Sequence, residues 1–364
     1  MSELKRTPLN AAHYALKAKM VDFGGWDMPV QYAGIKDEHN MVRTKAGLFD
    51  VSHMGEVFIK GPDAEKFIQK MVSSDISNMA DGQVKYGVLC YPDGNAVDDL
   101  LVYKMADCDY LLVVNASNTD KDFAWLEEHA AGYTMSLTNN SAEYAEIAIQ
   151  GPLAEKILSK VCDIDLAPIK NYYFALGNVC GIACIISRTG YTGEDGFELY
   201  YPAADAEKVW NELLAVGGQD ICPCGLGCRD TLRFECKMPL YGHELSSTIN
   251  PLETGLGRFI ALEKDFIGRD ALAKIKEEGR KRKVIGFEMV GRGVARGGYQ
   301  VEKDGKIIGE VTTGSYAPSF DKNLGLAIIS IEAGIEIDDS FNIIIRDKPV
   351  EAKMVKTPFY KRSK

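Results

Sequence analysis

Residues 187–200, "SRTGYTGEDGFELY", combine three glycines with charged side chains between two apolar ends. Glycine permits positive φ and close approach of the backbone to another group, which predicts a tight turn or a packed contact. The apolar run 182–186 and the alternation of Phe197 and Leu199 predict strands, so Glu198 should lie on the face opposite those two side chains. A carboxylate in that position either lies in water at a hairpin or accepts hydrogen bonds from a bound ligand.

A second carboxylate lies in the segment "AVDDLLVY", residues 96–103. Alternation along this strand puts Asp99 on the same face as Leu101 and Tyr103, which should be buried or line a cleft. Burying a carboxylate is costly unless the group is paired or has a function, so Asp99 is a candidate for chemistry. The alternative is that Asp99 ends the preceding hairpin in water.

Two further stretches contain ionisable or adaptable side chains. In "DVSHMGE", His53 could act as a base or bond to backbone, and Met54 could face a flat ligand or fill the core. In "GLGCRDTLRFE", Arg229 and Arg233 fall one turn apart near the start of a predicted helix. Cations there oppose the helix dipole, which favours a specific carboxylate partner over random placement.

The chain has 364 residues, 46% of them apolar, and this length predicts about two or three domains. A net charge of −10 argues against nucleic-acid binding, which requires concentrated positive charge. No apolar run approaches the about 18 residues that a membrane-spanning helix needs. The N-terminal stretch lacks an apolar signal core and includes the acidic Glu3, so we expect a cytoplasmic protein.

The nine cysteines are an odd number in a chain with a large core, which favours a reducing compartment over disulfides. Cys222, Cys224 and Cys228 form a C-x-C-x3-C pattern, with Cys236 nearby, that raises the hypothesis of a structural zinc site. The spacing is not that of paired C-x2-C ligands, and no histidine follows at ligand distance. We therefore favour small buried cysteines and expect no metal.

The elements that would position these residues include a repeated unit. "FIKGPDAEKFIQKMV" from Phe58 and "AIQGPLAEKILSKVC" from Ala148 each predict a strand, a Gly-Pro turn and an amphipathic helix. The second helix is expected to carry Ile157 and Val161 on its apolar stripe. Two such units suggest a duplicated α+β framework.

Between the two units, strands are predicted at 83–91 and 96–105, joined by the turn sequence Pro-Asp-Gly-Asn, and at 109–117. A helix is predicted at 119–130, with Thr119 capping its start. In the last quarter of the chain, short strands follow one another without helices. This pattern predicts a small all-β sandwich or barrel of about 80 to 90 residues.

Eight stretches, taken in their order and spacing, closely resemble the aminomethyltransferases, the T-proteins of the glycine cleavage system. They are "GWDMPVQY", "GLFDVSHMGE", "VDDLLVY", "SRTGYTGEDGFE", "GLGCRDTLR", "MPLYGHEL", "NPLETGLG" and "GEVTTGSYAPS". The resemblance covers practically the whole chain and implies an α+β fold, a three-domain cloverleaf of antiparallel sheets with flanking helices and a C-terminal β-barrel. It implies a discontinuous folate-binding domain at 1–52 and 140–278, an inserted α+β domain at 53–139 and the barrel at 279–364.

The resemblance also implies a reaction and a site. The family transfers the one-carbon unit of an aminomethyl group on the lipoyl arm of the H-protein to tetrahydrofolate, and ammonia is released. By resemblance Asp99 is catalytic, because a fixed carboxylate stabilises the positive charge that develops on the transferred carbon. Glu198 binds the edge of the pteridine, and Arg229 lines the same pocket. The other residues implied to line the folate cavity are Tyr86, Tyr103, Met54, Asn115, Tyr172 or its neighbour Tyr173, and Tyr360.

The implied partners are the lipoylated H-protein and tetrahydrofolate as co-substrate, with no nucleic acid, membrane or metal. Cys224 and Cys228 stand where alanines are expected in the family, which supports a packing role for both thiols. The same fold could instead serve a folate-dependent demethylase of small methylated substrates, or a folate-binding assembly protein for iron–sulfur clusters without turnover. Asp99 and Glu198, both inside intact motifs, favour the aminomethyltransferase.

Overall fold

The computed structural model describes residues 3–362. The α-helices of this part of the chain are α1 (Asn10–Ala15), α2 (Ile35–Thr44), α3 (Ala64–Met71), α4 (Thr119–His129), α5 (Ala154–Leu158), α6 (Ala206–Gly217), α7 (Leu226–Glu235) and α8 (Arg269–Glu278). The strands are β1 (Lys19–Phe23), β2 (Trp26–Gln31), β3 (Ala46–Asp50), β4 (Gly55–Lys60), β5 (Val84–Cys90), β6 (Ala96–Ala106), β7 (Asp109–Val114), β8 (Ser136–Asn139), β9 (Tyr144–Gln150), β10 (Phe174–Val179), β11 (Ile182–Ser187), β12 (Gly196–Pro202), β13 (Ile221–Cys224), β14 (Arg282–Met289), β15 (Gln300–Lys303), β16 (Lys306–Ala317), β17 (Lys322–Ser330), β18 (Ser340–Ile345) and β19 (Lys348–Val355).

These elements form two compact units. The first unit contains the chain up to Ile68 together with Ile76–Tyr86 and Leu100–Leu232. The second unit contains Gln69–Asp75, Gly87–Asp99 and the chain from Arg233 onward. The division falls inside β5 and inside β6, so that Asp99 belongs to the second unit.

A six-stranded sheet in the first unit has the strand order β10-β11-β12-β9-β3-β13. Its strands pair antiparallel except for β13, which runs parallel to β3. One face is apolar and packs on α6, where Phe197 and Leu199 share a buried cluster with Trp210 and Leu213. The strands predicted around residues 182–186 and 196–200 are therefore confirmed, and they form neighbours in this sheet.

A five-stranded sheet has the order β5-β6-β7-β4-β8, so the predicted hairpin of β5 and β6 is confirmed. Its turn is closed by the amide of Tyr91, which donates to the carbonyl of Asn95 at 2.8 Å. Gly94 in this turn has φ of +87°, a conformation that favours glycine. The turn sequence therefore explains where the two strands reverse.

The two strand-turn-helix units predicted from the Gly-Pro echo are present, with Gly61 and Gly151 at φ of +139° and +127°. They lead from β4 into α3 and from β9 into α5. The predicted length of the second helix is wrong, because α5 ends at Leu158 and Val161 lies beyond it. The amide of Val161 bonds to the carbonyl of Leu158 three residues back, which tightens the chain into a turn and ends the helix.

The helix predicted at 119–130 is confirmed as α4, but the capping role of Thr119 is wrong. A short 3-10 turn over Ala116–Asn118 leads directly into α4, so Thr119 already has helical backbone angles. Its hydroxyl donates to the carbonyls of Asn115 and Ala116, at 3.3 and 3.2 Å, which is the backward bonding of a threonine inside a helix.

The second unit contains a closed barrel with the order β14-β17-β16-β15-β18-β19. Its interior is apolar and includes Phe287, Val311 and Phe341. The turn between β15 and β16 places Asp304 and Gly305 at φ of +52° and +77°. The α+β class with a C-terminal β-barrel is thus confirmed. Within residues 3–362, no helix has the length and apolar character needed to cross a bilayer.

Candidate active site

Glu198 lies on β12, on the face of the six-stranded sheet opposite Phe197 and Leu199, as alternation predicted. This second face is also covered, since only 6% of Glu198 is exposed. The hydroxyl of Thr189 donates to Oε2 of Glu198 at 2.5 Å. Burial raises the pKa of Glu198, while the Thr189 hydrogen bond and the charge of Arg229 act in the opposite direction. The carboxylate is therefore buried and held in one orientation.

Of the three glycines before Glu198, two pack closely against β9 and the third has a positive φ. A Cβ atom on Gly190 would lie 2.1 Å from Oε1 of Gln150, and one on Gly196 would lie 2.4 Å from a backbone oxygen of β9. Gly193 has φ of +81°, where side chains are strained. Nε2 of Gln150 donates to the carbonyl of Thr189 at 3.0 Å. The close approach predicted for these glycines thus fixes the turn that carries Thr189, and it needs no ligand.

Arg229 lies in the first half of α7 and supplies positive charge to this face of the sheet. Its guanidinium carbon is 4.7 Å from the centre of the Tyr191 ring, which is a cation–π contact. The charge of Arg229 lowers the pKa of both Glu198 and Glu146, although burial outweighs it in each case. The carboxylate partner expected near the start of this helix is found for Arg233, whose Nη1 donates to Oε2 of Glu244 at 2.8 Å, whereas Arg229 acts on Glu198 and Glu146 through its charge.

A chain of buried hydroxyl groups extends from Glu198 through the interior of the first unit. The hydroxyls of Tyr103 and Tyr200 are 2.9 Å apart, and that of Tyr103 is 3.4 Å from Oγ1 of Thr189. Ser187 adds a further contact to Thr189 at 2.9 Å. Both tyrosines are essentially inaccessible, and burial raises the pKa of each well above its usual value. These phenols therefore stay protonated and act only as hydrogen-bonding groups.

Two more buried acids, Glu56 on β4 and Glu146 on β9, lie close to this chain. They are 1% and 2% exposed. Within residues 3–362, neither oxygen of Glu56 has a hydrogen-bond partner, and Oε2 of Glu146 has none. Burial raises the pKa of both carboxyls well above 4.5, and the negative charges of Glu198 and Glu56 raise that of Glu146 further. Both carboxyls are therefore poised to hold a proton at a pH where exposed acids are ionised.

The raised pKa of Glu56 predicts a pH-dependent stability. Its folded-state pKa lies above the unfolded value of 4.5, so the native state binds more protons and stability is lost as pH rises through the folded pKa. Glu56→Gln removes this loss and should raise the free energy of unfolding at pH 8 by about 1 to 3 kcal/mol, with little change near pH 4. Denaturant unfolding of the parent and the variant at pH 8 and pH 4 measures this difference in the free energy of unfolding.

The matched control for Glu56→Gln is Glu127→Gln, the same change at an exposed position of α4. This variant should differ from the parent by less than about 0.5 kcal/mol at either pH. If Glu56→Gln gave no greater stabilisation at pH 8 than near pH 4, Glu56 would not be a buried acid with a raised pKa.

His53 is buried beside this site, but it is a weak base. Burial lowers its pKa to about 4, an effect that Asp50 opposes and Arg229 reinforces. Its ring meets the edges of Phe23 and Trp26 at 5.8 and 6.5 Å between centroids. Within residues 3–362, Nδ1 of His53 has no hydrogen-bond partner. The imidazole is therefore neutral at physiological pH.

The other residues predicted to line a cavity in the first unit differ in accessibility. Met54, Tyr86 and Asn115 are half-buried, and Met54 packs against the cluster that contains Tyr103. Tyr172 has φ of +59° and is 39% exposed, whereas Tyr173 packs against the main apolar core. Tyr172 is therefore the more exposed of these two neighbours, and Tyr173 is half-buried.

Asp99 and Tyr360 belong to the second unit. Asp99 is half-buried, whereas its neighbour Asp98 is fully buried. The side chain of Asp99 is therefore partly covered, and it does not lie in open water as the alternative interpretation expected. Tyr360 is half-buried, and its amide donates to the carbonyl of Glu235 at 2.8 Å.

The cysteine cluster contains a possible cation geometry, since ligand atoms of Glu38, Cys224 and Cys228 lie within 4.8 Å of one another. The Glu38 carboxylate, however, already accepts three backbone N–H bonds, at 2.6, 3.0 and 2.8 Å. Burial raises the pKa of both thiols, which disfavours the thiolate form that a metal binds. The geometry therefore favours the packing role, and the expectation of no metal stays a prediction.

Sequence reasoning missed several residues of this site, among them Glu146, Thr189, Tyr191 and Tyr200. The signal for Tyr200 was present, because it lies two residues after Glu198 and so on the same face. Glu146 stood out as a charge inside the apolar strand β9. Thr189 and Tyr191 lie in the irregular segment between β11 and β12, where no periodicity indicates orientation.

Comparison with known families gives two matches that together span nearly the whole chain. Residues 9–264 match the family model described as the GCVT N-terminal domain, and residues 282–361 match the glycine cleavage T-protein C-terminal barrel domain. The chain therefore belongs to the glycine cleavage T-protein family.

Relatives with curated names are aminomethyltransferases, in agreement with this family. The aminomethyltransferase of Desulfitobacterium hafniense (strain DSM 10664 / DCB-2) is 53% identical over 364 residues and all of both chains. The aminomethyltransferase of Geobacillus sp. (strain WCH70) is 52% identical, over 99% of this chain and all of that one. The crystal structure of the glycine cleavage system aminomethyltransferase T from Bartonella henselae matches with a TM-score of 0.92 at 30% identity, covering 98% of each chain. The enzymatic activity is thus aminomethyl transfer in the glycine cleavage system, as the resemblance implied.

Proposed function

We propose that this enzyme moves the one-carbon unit of aminomethyl-lipoyl H-protein to tetrahydrofolate, releases ammonia, and leaves methylene-tetrahydrofolate and dihydrolipoyl H-protein. The observation that carries the proposal is Glu198, a buried carboxylate with a fixed orientation in a chain of the glycine cleavage T-protein family. A buried acceptor of this kind suits a flat heterocycle with adjacent N–H donors, since both oxygens can accept from it.

Glu198 and Arg229 are proposed to act together on the folate. Glu198 accepts from the pteridine edge, and Arg229 offsets the negative charge that burial makes costly. The Tyr191 ring holds the guanidinium from one side, which limits its freedom before ligand binds. The remaining residues proposed to line the folate cavity are Tyr86, Tyr103, Met54, Asn115, Tyr172 and Tyr360.

Asp99 is proposed to act on the transferred carbon. The C–N bond of the sulfur-bound aminomethyl group breaks and releases ammonia, and the carbon passes through a cation that sulfur stabilises. A folate nitrogen then bonds to this carbon, the C–S bond breaks, and the second folate nitrogen closes the methylene bridge. The two folate N–H protons end on ammonia and on the lipoyl thiol. A carboxylate beside the carbon stabilises the cation and can relay a proton.

We propose three domains, with 1–52 and 140–278 as the folate-binding domain, 53–139 inserted into it and 279–364 as the barrel domain. The lipoylated H-protein is the proposed protein partner, and the cytoplasm is the proposed location. Tetrahydrofolate is the proposed co-substrate, with no metal involved.

The test is a single-turnover reaction with aminomethylated H-protein, with and without tetrahydrofolate. Ammonia and methylene-tetrahydrofolate should appear in equal amounts, and only when enzyme, H-protein and folate are all present. Demethylation of a small free N-methylated amine, with no reaction of the H-protein, would instead support the demethylase. Folate binding without either reaction would support the assembly protein.

A further inference from the structure

Gln150, the last residue of β9, bonds through its side chain to the segment 189–192 between β11 and β12. Only 1% of the residue is exposed. Its Nε2 donates to the carbonyl of Thr189 at 3.0 Å, and its Oε1 accepts from the hydroxyl of Thr192 at 2.8 Å. Because a carbonyl can only accept, the amide nitrogen must face Thr189, and the amide oxygen then faces Thr192. One carboxamide therefore holds both ends of this segment.

The carboxamide of Gln150 occupies a slot that two glycines leave open. A Cβ atom on Gly190 would lie 2.1 Å from Oε1 and 2.5 Å from Nε2 of Gln150, and one on Gly196 would lie 2.7 Å from Nε2. The backbone of Gln150 pairs with Gly196 on one side and with Gly47 on the other. The sheet thus fixes the base of this side chain, and the two glycines make room for its end.

Arg43 of α2 supports the same segment at its far end. Its Nη1 donates to the carbonyl of Thr192 at 2.7 Å and to Oε1 of Glu194 at 2.8 Å. Both side chains of this ion pair are less than one-tenth exposed, and a pair so buried is costly to break. Thr189, Thr192 and Glu194 are therefore all held by side chains of β9 or α2.

The segment 189–192 carries the hydroxyl that orients Glu198. Oγ1 of Thr189 donates to Oε2 of Glu198 at 2.5 Å. The hydroxyls of Ser187 and Tyr103 lie 2.9 and 3.4 Å from the same Oγ1 and are alternative acceptors for its proton. A hydroxyl has one proton, so its direction depends on where the backbone of Thr189 lies, and the bond from Gln150 sets that position.

We propose that Gln150 is a positioning residue for Glu198. Its carboxamide holds the segment 189–192 so that the hydroxyl of Thr189 points at Glu198 and fixes one carboxylate oxygen for the ligand. The inference rests on the proposed binding of the pteridine edge by Glu198. Gln150 itself is not proposed to touch the folate, so its whole effect on folate affinity should pass through Thr189.

The first test is a double-mutant cycle on the dissociation constant of tetrahydrofolate, measured by calorimetry. Gln150→Met keeps most of the side-chain volume, removes both hydrogen bonds, and should weaken binding about tenfold. Thr189→Val deletes a bond to a charged group and should weaken binding about 10- to 100-fold. The double variant should bind no more weakly than Thr189→Val alone. Parent affinity in Gln150→Met, or two effects that multiply, would overturn the proposal.

The second test displaces the carboxamide without deleting it, and it decides the matter if Gln150→Met fails to fold. The φ of Gly190 is not positive, so Gly190→Ala suits the backbone, and its methyl group meets only the end of the Gln150 side chain at short range. This variant should weaken tetrahydrofolate binding about as much as Gln150→Met. The matched control is Gly257→Ala, whose methyl group would have its nearest neighbour at 3.7 Å, and it should keep the parent affinity. Equal affinities of Gly190→Ala and Gly257→Ala would refute the role of Gln150.

Ile149→Val separates a positioning role from a loss of stability. It shortens a buried side chain on the opposite face of β9, so it should lower the denaturant midpoint and keep the parent affinity for tetrahydrofolate. If Ile149→Val weakened binding as much as Gln150→Met does, the effect of Gln150 would be one of stability alone. A parent that binds no tetrahydrofolate would instead remove the proposed function itself, whereas unchanged affinity in Gln150→Met would remove only the role of Gln150.

Discussion

Replacing Asp99 with asparagine is expected to lower single-turnover formation of methylene-tetrahydrofolate about 100- to 1,000-fold. Asparagine keeps the shape of the side chain but has no negative charge to stabilise the cationic carbon and no site for its proton. The affinity for tetrahydrofolate should stay within about twofold, because the proposed folate contacts come from Glu198 and Arg229. Rapid quenching measures the turnover, and calorimetry measures the affinity.

Asp93→Asn is the matched control for Asp99→Asn. Asp93 lies in the turn before β6, is exposed, and accepts from the amide of Asn95 at 3.0 Å. The same loss of charge there should leave turnover within about twofold of the parent. Parent-like turnover by Asp99→Asn would exclude Asp99 from the chemistry, whatever role it has in folding.

Glu198→Gln should raise the dissociation constant of tetrahydrofolate about 10- to 100-fold. The change removes a charge-assisted contact worth about 1.5 to 3 kcal/mol and puts a donor amide where the pteridine offers its own N–H groups. Calorimetry at neutral pH measures the effect. The chemical step at saturating folate should change less than the affinity does, because Glu198 is proposed to hold the ligand and not the reacting carbon.

Glu207→Gln, at an exposed position of α6, controls for the loss of one negative charge from the first unit. It should bind folate as the parent does. A dissociation constant for Glu198→Gln equal to that of Glu207→Gln would show that the pteridine does not contact Glu198, and the folate would then have to bind elsewhere on the protein.

The parts of the fold that sequence patterns predicted are those governed by local rules. Alternation placed Glu198 opposite Phe197 and Leu199, and the turn sequence before Ala96 marked the reversal between β5 and β6. Strand alternation and turn sequences depend on a few neighbouring residues, so they predict local structure without knowledge of the distant contacts. The resemblance to the T-proteins then supplied the family, which the comparisons confirm.

What could not be predicted depends on contacts between residues far apart in the chain. Tyr103 and Thr189 meet although 86 positions separate them, and no periodicity encodes such a pairing. The prediction that Thr119 caps α4 was wrong because a 3-10 turn precedes the helix, so Thr119 lies inside it. No sequence pattern predicted this turn. The candidate site is therefore only partly predictable from the sequence. Alternation indicated Glu198 and Asp99, whereas the buried acids Glu56 and Glu146 and the hydroxyl groups around Glu198 were not predicted.

The strand that carries Glu198 has hydrogen-bonded neighbours on both sides, since β12 lies between β11 and β9. An interior strand of this kind does not fray; it separates only when the sheet as a whole opens. A ligand therefore encounters either a folded sheet with Glu198 in place or an opened molecule in which Glu198 is not positioned to bind it. Substitutions that loosen this sheet should therefore reduce the number of competent molecules in a preparation, while each competent molecule binds as tightly as before.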